Sequence, residues 1–301
     1  MAKQLLSPNE RKLRTRSLLH KILGQCAIWL VLIVMYVPIM VLIVYSFTVN
    51  DNIGSFENGF SMDLYAKLFQ SEEIMVALGN TLLIAVISSV LSTILGTCGA
   101  IGAYYSKKRS REGIETITQI PVVNAEIVIA LSLTVMFVFF QSYILGGANV
   151  FSFWTLLVGH MVLQVPFVYL SVKPKLQQMD PALYEAALDL GCTQRQALVK
   201  ATIPEILPGV ASGFLLSITL SLDDFIVTAF TRGAGLLSGD KSIETLSTLV
   251  QAKIKKGPIP PEMRALTTII FILVLAVAII VTIRRNATAG KSHKTRKGRG
   301  Q

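Results

Sequence analysis

Six stretches of this chain are each apolar and long enough to cross a bilayer: about 26–47, 76–103, 118–140, 152–172, 209–230 and 265–283. A helix needs about 20 largely apolar residues to traverse the hydrocarbon core. No arrangement in water hides six such stretches in 301 residues of which only 15% are charged. A soluble domain carries roughly 25% charged residues. The composition therefore excludes a soluble enzyme and predicts an all-α integral membrane protein with six transmembrane helices. The first stretch is longer than the apolar core of a signal peptide and lacks a small-residue cleavage site after it, so it reads as a retained span.

The net charge of +10 sits in the two tails. Residues 1–25 carry Lys3, Arg11, Lys12, Arg14, Arg16 and Lys21 against Glu10. Residues 284–301 carry Arg284, Arg285, Lys291, Lys294, Arg296, Lys297 and Arg299 with no acid. Basic flanks mark the cytoplasmic side of a span, and an even number of spans returns both tails to one side. The expected plan is a basic cytoplasmic tail (1–25), a six-span domain (26–283) and a second basic cytoplasmic tail (284–301). A nucleic-acid binder would instead gather its bases on a folded face; the tail bases are topology determinants that meet water or membrane lipid.

The loops mostly agree. Segment 48–75 carries Asp51, Glu57, Asp63, Glu72 and Glu73 against Lys67, as expected outside. Lys107, Lys108, Arg109 and Arg111 mark the next turn as inside, and so do Lys173, Lys175, Arg195 and Lys200 in segment 173–208. Segment 231–264, expected outside, is basic and goes against the rule.

The connection from Lys173 to Pro208 differs from the rest. Asp180 is a good N-cap and Pro181 suits the first helical position. Ala182, Ala186 and Leu190 share one helical face, with Leu183 and Ala187 beside them. Gly191 supplies the left-handed conformation that ends helices. Thr193 and Gln196 form a capping box for a second short helix, which Pro204 and Pro208 are expected to break before the fifth span. By pattern alone this is an amphipathic loop helix packed on the ends of its own spans.

The residues say more. Glu185-Ala186-Ala187, three residues, Gly191, nine residues, then Ala201-Thr202-Ile203-Pro204 resembles the EAA loop of ABC-importer permeases, EAA-x3-G-x9-I-x-L-P, with Ala201 and Ile203 replacing the family's Ile and Leu. Tyr184 and the Asp180-Pro181 start are also typical of it. The run from Thr219 to Thr228, with Asp223-Asp224 inside it, and the run from Pro121 to Val128 resemble the polyamine and ferric-iron branch, spermidine/putrescine permeases best. The resemblance implies the type I ABC-importer permease (MetI-like) fold, with an EAA coupling loop over 180–208, in a bacterial inner membrane. It implies an ATPase dimer that binds ATP and magnesium on separate chains, a second homologous permease and an extracytoplasmic substrate-binding protein. It also implies that Tyr184, Glu185, Ala186, Ala187, Gly191 and Pro204 couple to the ATPase, and that this chain has no catalytic residue, metal or cofactor of its own. Related permeases carry ferric iron, thiamine and other solutes. A stand-alone carrier driven by an ion gradient is the rival from another class.

Three acids fall within the spans. A mid-membrane acid costs about 2.5–3.5 kcal/mol on insertion scales and normally faces a cavity or a partner. Glu126, two turns into the expected third span, reads as lining a cation path. Two readings of Asp223 and Asp224 stand side by side: a helix break with a cap, or carboxylates on the same path. His160 reads as hydrogen-bonded inside the bundle, and His20, His160 and His293 with three scattered cysteines form no ligand set. Gly233–Ser242 is no P-loop, because Asp240 separates glycine from lysine and no strand precedes it.

Overall fold

A computed structural model describes residues 8–48, 59–144, 146, 149–235, 239–256 and 260–272, with 275, 276 and 279 beyond them. The chain divides into two units, 1–70 with 259–301, and 71–258.

The first unit begins with α1 (Pro8–Tyr45), which continues through Pro38. Its side chains from Leu23 to Val44 are largely apolar and largely exposed, and a helix that is apolar all round is made for lipid. The chain then turns back: the Ser61 N–H donates to the Phe47 carbonyl at 2.8 Å, and Ser46 Oγ lies 2.9 Å from the Tyr65 hydroxyl. Tyr65 belongs to α2 (Asp63–Gln70), whose Leu64 and Leu68, one turn apart, are buried. Residues 262–272 are helical. They cover the first half of the expected sixth span, and part of its second half lies outside the described residues.

The second unit is built on three long helices: α3 (Glu72–Tyr105), α6 (Phe153–Gln178) and α9 (Ile203–Asp223). Between the first two run α4 (Lys108–Val123) and α5 (Glu126–Tyr143). The third is reached through α7 (Ala182–Asp189), α8 (Gln194–Ala197) and a π-helical turn, Leu198–Thr202. After it come α10 (Ile226–Thr231), a short antiparallel pair, β1 (Ala234–Gly235) and β2 (Gly239–Ser242), and α11 (Leu246–Lys256). Among the described residues five helices are long and apolar enough to cross a membrane.

A four-residue period makes the core. On α6, His160, Gln164, Val168, Val172 and Leu176 form a buried ridge. It faces Ser88, Ser92, Gly96 and Ala100 on α3, and Gly209, Gly213, Ser217 and Ser221 on α9, all buried. Ridges along i±4 rows settle into such grooves, and small residues let backbones approach where lipid offers no hydrophobic drive. A Cβ on Gly96 would sit 2.7 Å from Val168 Cβ, and one on Gly209 would sit 2.9 Å from the Ser171 carbonyl.

Two expectations are corrected, and one open alternative is decided. The third span is not one helix over 118–140. It breaks at Asn124 and Ala125, both extended, so Glu126 lies in the first turn of α5 rather than two turns into a span. Pro121 gives no N–H to the preceding turn, and Asn readily leaves a helix for local bonds. The fifth span is broken at Asp223–Asp224, one of the two readings of that pair: α9 ends at Asp223 and α10 starts at Ile226. Pro204 and Pro208 do not end the short second helix. Gln194–Asp223 runs on as one element, because the Ile203 N–H reaches the Leu198 carbonyl in the π turn and Pro204 falls in the first turn of α9, where proline is tolerated.

Two bases of the segment that went against the inside-positive pattern have acids close by. Lys253 on α11 pairs with Glu73 at the start of α3 at 2.6 Å, and Arg232 lies 4.0 Å from Glu244. The Asn80 amide donates to the Glu244 carbonyl and the Leu246 N–H to Thr81 Oγ1, fixing α11 beside the same end of α3.

Candidate functional site

Two places in the second unit gather the chemistry: the exposed helix α7 and the paired helix breaks.

The N-terminus of α7 is capped by Asp180, whose Oδ1 accepts from the Ala182 N–H at 3.0 Å. At the C-terminus Gly191 takes φ +83°. The Cys192 N–H reaches the Ala187 carbonyl at 3.1 Å and the Gly191 N–H reaches Leu188 at 2.9 Å, the paired bonds of a Schellman ending. Thr193 and Gln196 form the reciprocal capping box, at 3.0 and 3.4 Å, that starts α8.

Only one side of α7 is held. The Tyr184 ring meets Tyr105, the last residue of α3, at 5.2 Å between centroids, and the Tyr105 hydroxyl lies 3.3 Å from Thr202 Oγ1 in the π turn. Glu185 and Ala186 are exposed, as are Leu183 and Leu190, and Ala187 is half-buried. Gly191 and Pro204 are exposed as well. The helix thus offers an apolar stripe beside two exposed carboxylates one turn apart, Glu185 and Asp189, while an aromatic contact fixes its back. It lies at the Tyr105 end of α3, and α11 lies at the Glu72 end, 34 residues away, or about 50 Å at 1.5 Å per residue.

Nearby, α4 is tied to α6. Lys173 Nζ and Arg111 Nε approach the same oxygen of Glu115, at 2.9 and 3.2 Å. The Lys173 hydrogen bond is the main cause that holds the Glu115 carboxyl below its ordinary value; burial opposes it and Arg111 adds to it.

The second place is where both breaks meet. Helices α5 and α10 pack together, and Thr134 Oγ1 donates to the Phe230 carbonyl at 3.1 Å. Glu126 and Asp223 are both exposed, and each lies within electrostatic reach of Asp224 and of the other. Asp224 itself is buried and fully engaged: it accepts from the N–H groups of Val227 (3.3 Å) and Thr228 (2.8 Å) and from the Thr228 hydroxyl (2.7 Å). It opens α10 as an N-terminal cap does. His160 Nε2 lies 3.0 Å from Thr228 Oγ1, and its Nδ1 lies 2.9 Å from Ser221 Oγ. Ser221 lies 3.4 Å from Ser88, which accepts from the Gln164 amide at 3.0 Å. The polar groups of α3, α6, α9 and α10 therefore form one connected set at the break.

The chain matches the family described as "Binding-protein-dependent transport system inner membrane component" over residues 95–287. It belongs to this family. The match takes in both broken spans, α7 and the whole Glu126–Asp224 region. Among its relatives is the spermidine/putrescine transport system permease protein PotC of Haemophilus influenzae, 33% identical over 82% of this chain and 90% of that protein. PotC of Escherichia coli is 32% identical over 86% and 92%. The putrescine transport system permease protein PotI of Escherichia coli is 30% identical over 78% and 81%. In structure the chain is similar to a bacterial ABC transporter that imports the acidic polysaccharide alginate, at 19% identity and TM-score 0.67, covering 93% of this chain and 98% of that one. A second alginate transporter structure, in complex with a pentasaccharide-bound periplasmic protein, matches at TM-score 0.65 and 20% identity, covering 90% and 94%.

This family member is accordingly an inner-membrane transport component of ABC-importer permease fold, and a permease rather than an enzyme. Gln164 and Ser88 escaped the sequence reading. Their signal was the four-residue spacing of small and polar residues inside apolar stretches, which lipid-facing residues do not need.

Proposed function

We propose that this chain is a permease subunit of an ATP-driven importer that carries polyamines, spermidine and putrescine, into the cell. The observation that carries the reading is α7: an exposed, well-capped EAA helix, backed by a tyrosine pair, in a chain similar to polyamine permeases over most of its length. Its apolar stripe suits a groove on an ATPase subunit. Glu185 pairs with a base there, Ala186 and Ala187 allow close approach, Tyr184 passes the push to α3, and Gly191 and Pro204 fix the exit toward α9.

In this reading α7 and both basic tails are cytoplasmic, and the six-span domain covers 26–283. ATP and magnesium are held by an ATPase dimer on separate chains. A second homologous permease completes the pathway, and an extracytoplasmic binding protein delivers the cargo. Glu126 and Asp223 face the pathway; spaced carboxylates match the ammonium groups of a polyamine, and Asp224 stands behind them as cap. The binding-protein-dependent family leaves no support for a carrier working alone.

The test is radiolabelled spermidine uptake with simultaneous ATPase measurement in cells and vesicles that carry the whole system. Ala186→Trp, at normal membrane levels, is expected to abolish uptake. Unchanged uptake refutes the coupling role, and a wild-type system that moves ferric iron or thiamine but no polyamine refutes the cargo.

A further inference from the structure

Asp223 and Asp224 are adjacent in sequence and opposite in situation. Asp223 ends α9 and is exposed, whereas Asp224 is extended (φ −61°, ψ 123°), buried and committed to the first turn of α10. What separates them is a chain of hydrogen bonds with one consistent direction. Thr228 has one hydroxyl proton and spends it on Asp224 Oδ2 at 2.7 Å. Its oxygen therefore accepts from His160, 3.0 Å away, which puts the imidazole proton on Nε2. Nδ1 is then the acceptor, and Ser221, 2.9 Å away, donates to it. Behind Ser221, the Gln164 amide donates to Ser88. At 3.6 Å, His160 Nε2 is too far from Asp224 Oδ2 for a hydrogen bond of its own.

We propose that His160 is a positioning residue: through Thr228 it holds Asp224 as the cap of α10, and so keeps the fifth span broken next to Asp223. The inference rests on the reading that Glu126 and Asp223 meet the cationic cargo. Its physical content is that α9 has a competing choice. With Asp224 released, the helix continues through residue 224, each added residue turns α10, and the α5 packed on it, by a helical step relative to α9, and Glu126 is carried out of the reach of Asp223. His160 reaches the break from α6, the ridge on which both grooves pack, so the break is referenced to the most buried helix of the unit. Gly159 beside it meets α10 as closely, since a Cβ there would lie 2.6 Å from Val227 Cγ1 and 3.0 Å from Thr231 Oγ1.

The test is a double-mutant cycle on maximal uptake of radiolabelled spermidine, per membrane-inserted chain, in cells whose only copy of this permease is the variant within the whole transport system. His160→Leu removes the donor; His160→Gln keeps an amide N–H able to reach Thr228 and never titrates near neutral pH. His160→Leu is expected to lower uptake on the order of tenfold in the native background, the scale of a hydrogen bond serving a charged group. It is expected to add nothing once Asp223→Asn has removed the group it positions. His160→Gln is expected to stay within about twofold of wild type. If the His160→Leu and Asp223→Asn losses multiply, or if His160→Gln fails as badly as His160→Leu, the positioning role is overturned. An Asp223→Asn single variant with full uptake instead overturns the path reading beneath it. Thr228→Val, nearly isosteric, carries the same cycle if His160→Leu does not insert.

Discussion

Val168 stands between two glycines, and that geometry fixes what a side chain at Gly96 must do. A Cβ at Gly96 lies 2.7 Å from Val168 Cβ, 2.8 Å from Val168 Cγ1 and 3.0 Å from the Val165 carbonyl. Carbon atoms rest at about 3.5–4.0 Å, so α3 and α6 would have to part by about 1 Å. Val168 has no room to retreat, because a Cβ at Gly213 on α9 would already lie 3.2 Å from Val168 Cα. Gly96→Val adds two further carbons to this contact. Overpacking costs about 1–3 kcal/mol, and the upper end applies here because one neighbour is backbone. Better helix propensity returns only about 0.4 kcal/mol. At roughly 2–4 °C per kcal/mol, the purified protein in detergent should melt about 5–10 °C lower. Gly102→Val, on the same helix with nothing within 4 Å of its Cβ, should melt close to wild type. The exchange Gly96→Val with Val168→Gly moves the valine across the contact, conserves volume, and should recover more than half the loss. Equal melting of Gly96→Val and Gly102→Val, or an exchange no better than the single variant, would refute the close α3–α6–α9 seam.

Further outcomes follow from other contacts. Gly191→Ala puts a Cβ on a residue at φ +83°, at a cost of about 1–2 kcal/mol; α7 should fray, with faster amide exchange over 182–192 and weaker uptake at normal expression. Glu115 has its pKa lowered by Lys173, so its contribution is complete above the ordinary value of 4.5 and is lost as pH falls through the lower folded value; wild type should lose stability over that acid range more steeply than Glu115→Gln, which should be less stable at neutral pH. The Lys253–Glu73 pair is exposed at its acidic end, and exposed pairs contribute about 0–1 kcal/mol, so Lys253→Ala should lower the melting temperature by under about 4 °C. A larger drop would mean that α11 is held by that pair rather than by Asn80 and Thr81.

The sequence made α7 legible because its signals are local. Asp180, Pro181, Gly191, Thr193 and Gln196 act within a few residues of themselves, and the structure gives Asp180, Gly191, Thr193 and Gln196 the bonds their types prefer. The apolar stretches were legible for the same reason, since length and composition decide them. The helix breaks were harder to see. Pro121 looked like part of a span, and what ends α4 is its missing N–H together with Asn124, a combination that apolar averaging over twenty residues hides. Pro204 was misread the other way, because a π turn two residues earlier lets the chain absorb it. The Asp223–Asp224 pair shows where reading a sequence stops. Two identical residues in succession carry identical propensities; beyond the local bonds of Asp224 to Val227 and Thr228, their surroundings are set by contacts that span 61 to 133 residues of sequence, through Ser88, His160 and Gln164. Those contacts depend on α3, α6, α9 and α10 standing close enough for a histidine ring to touch Ser221 and Thr228 at once. The small residues at Gly96, Gly209 and Gly213 permit that closeness. The groove that packs the bundle and the polar set that shapes the break are therefore one construction, and a change in either should be felt in both.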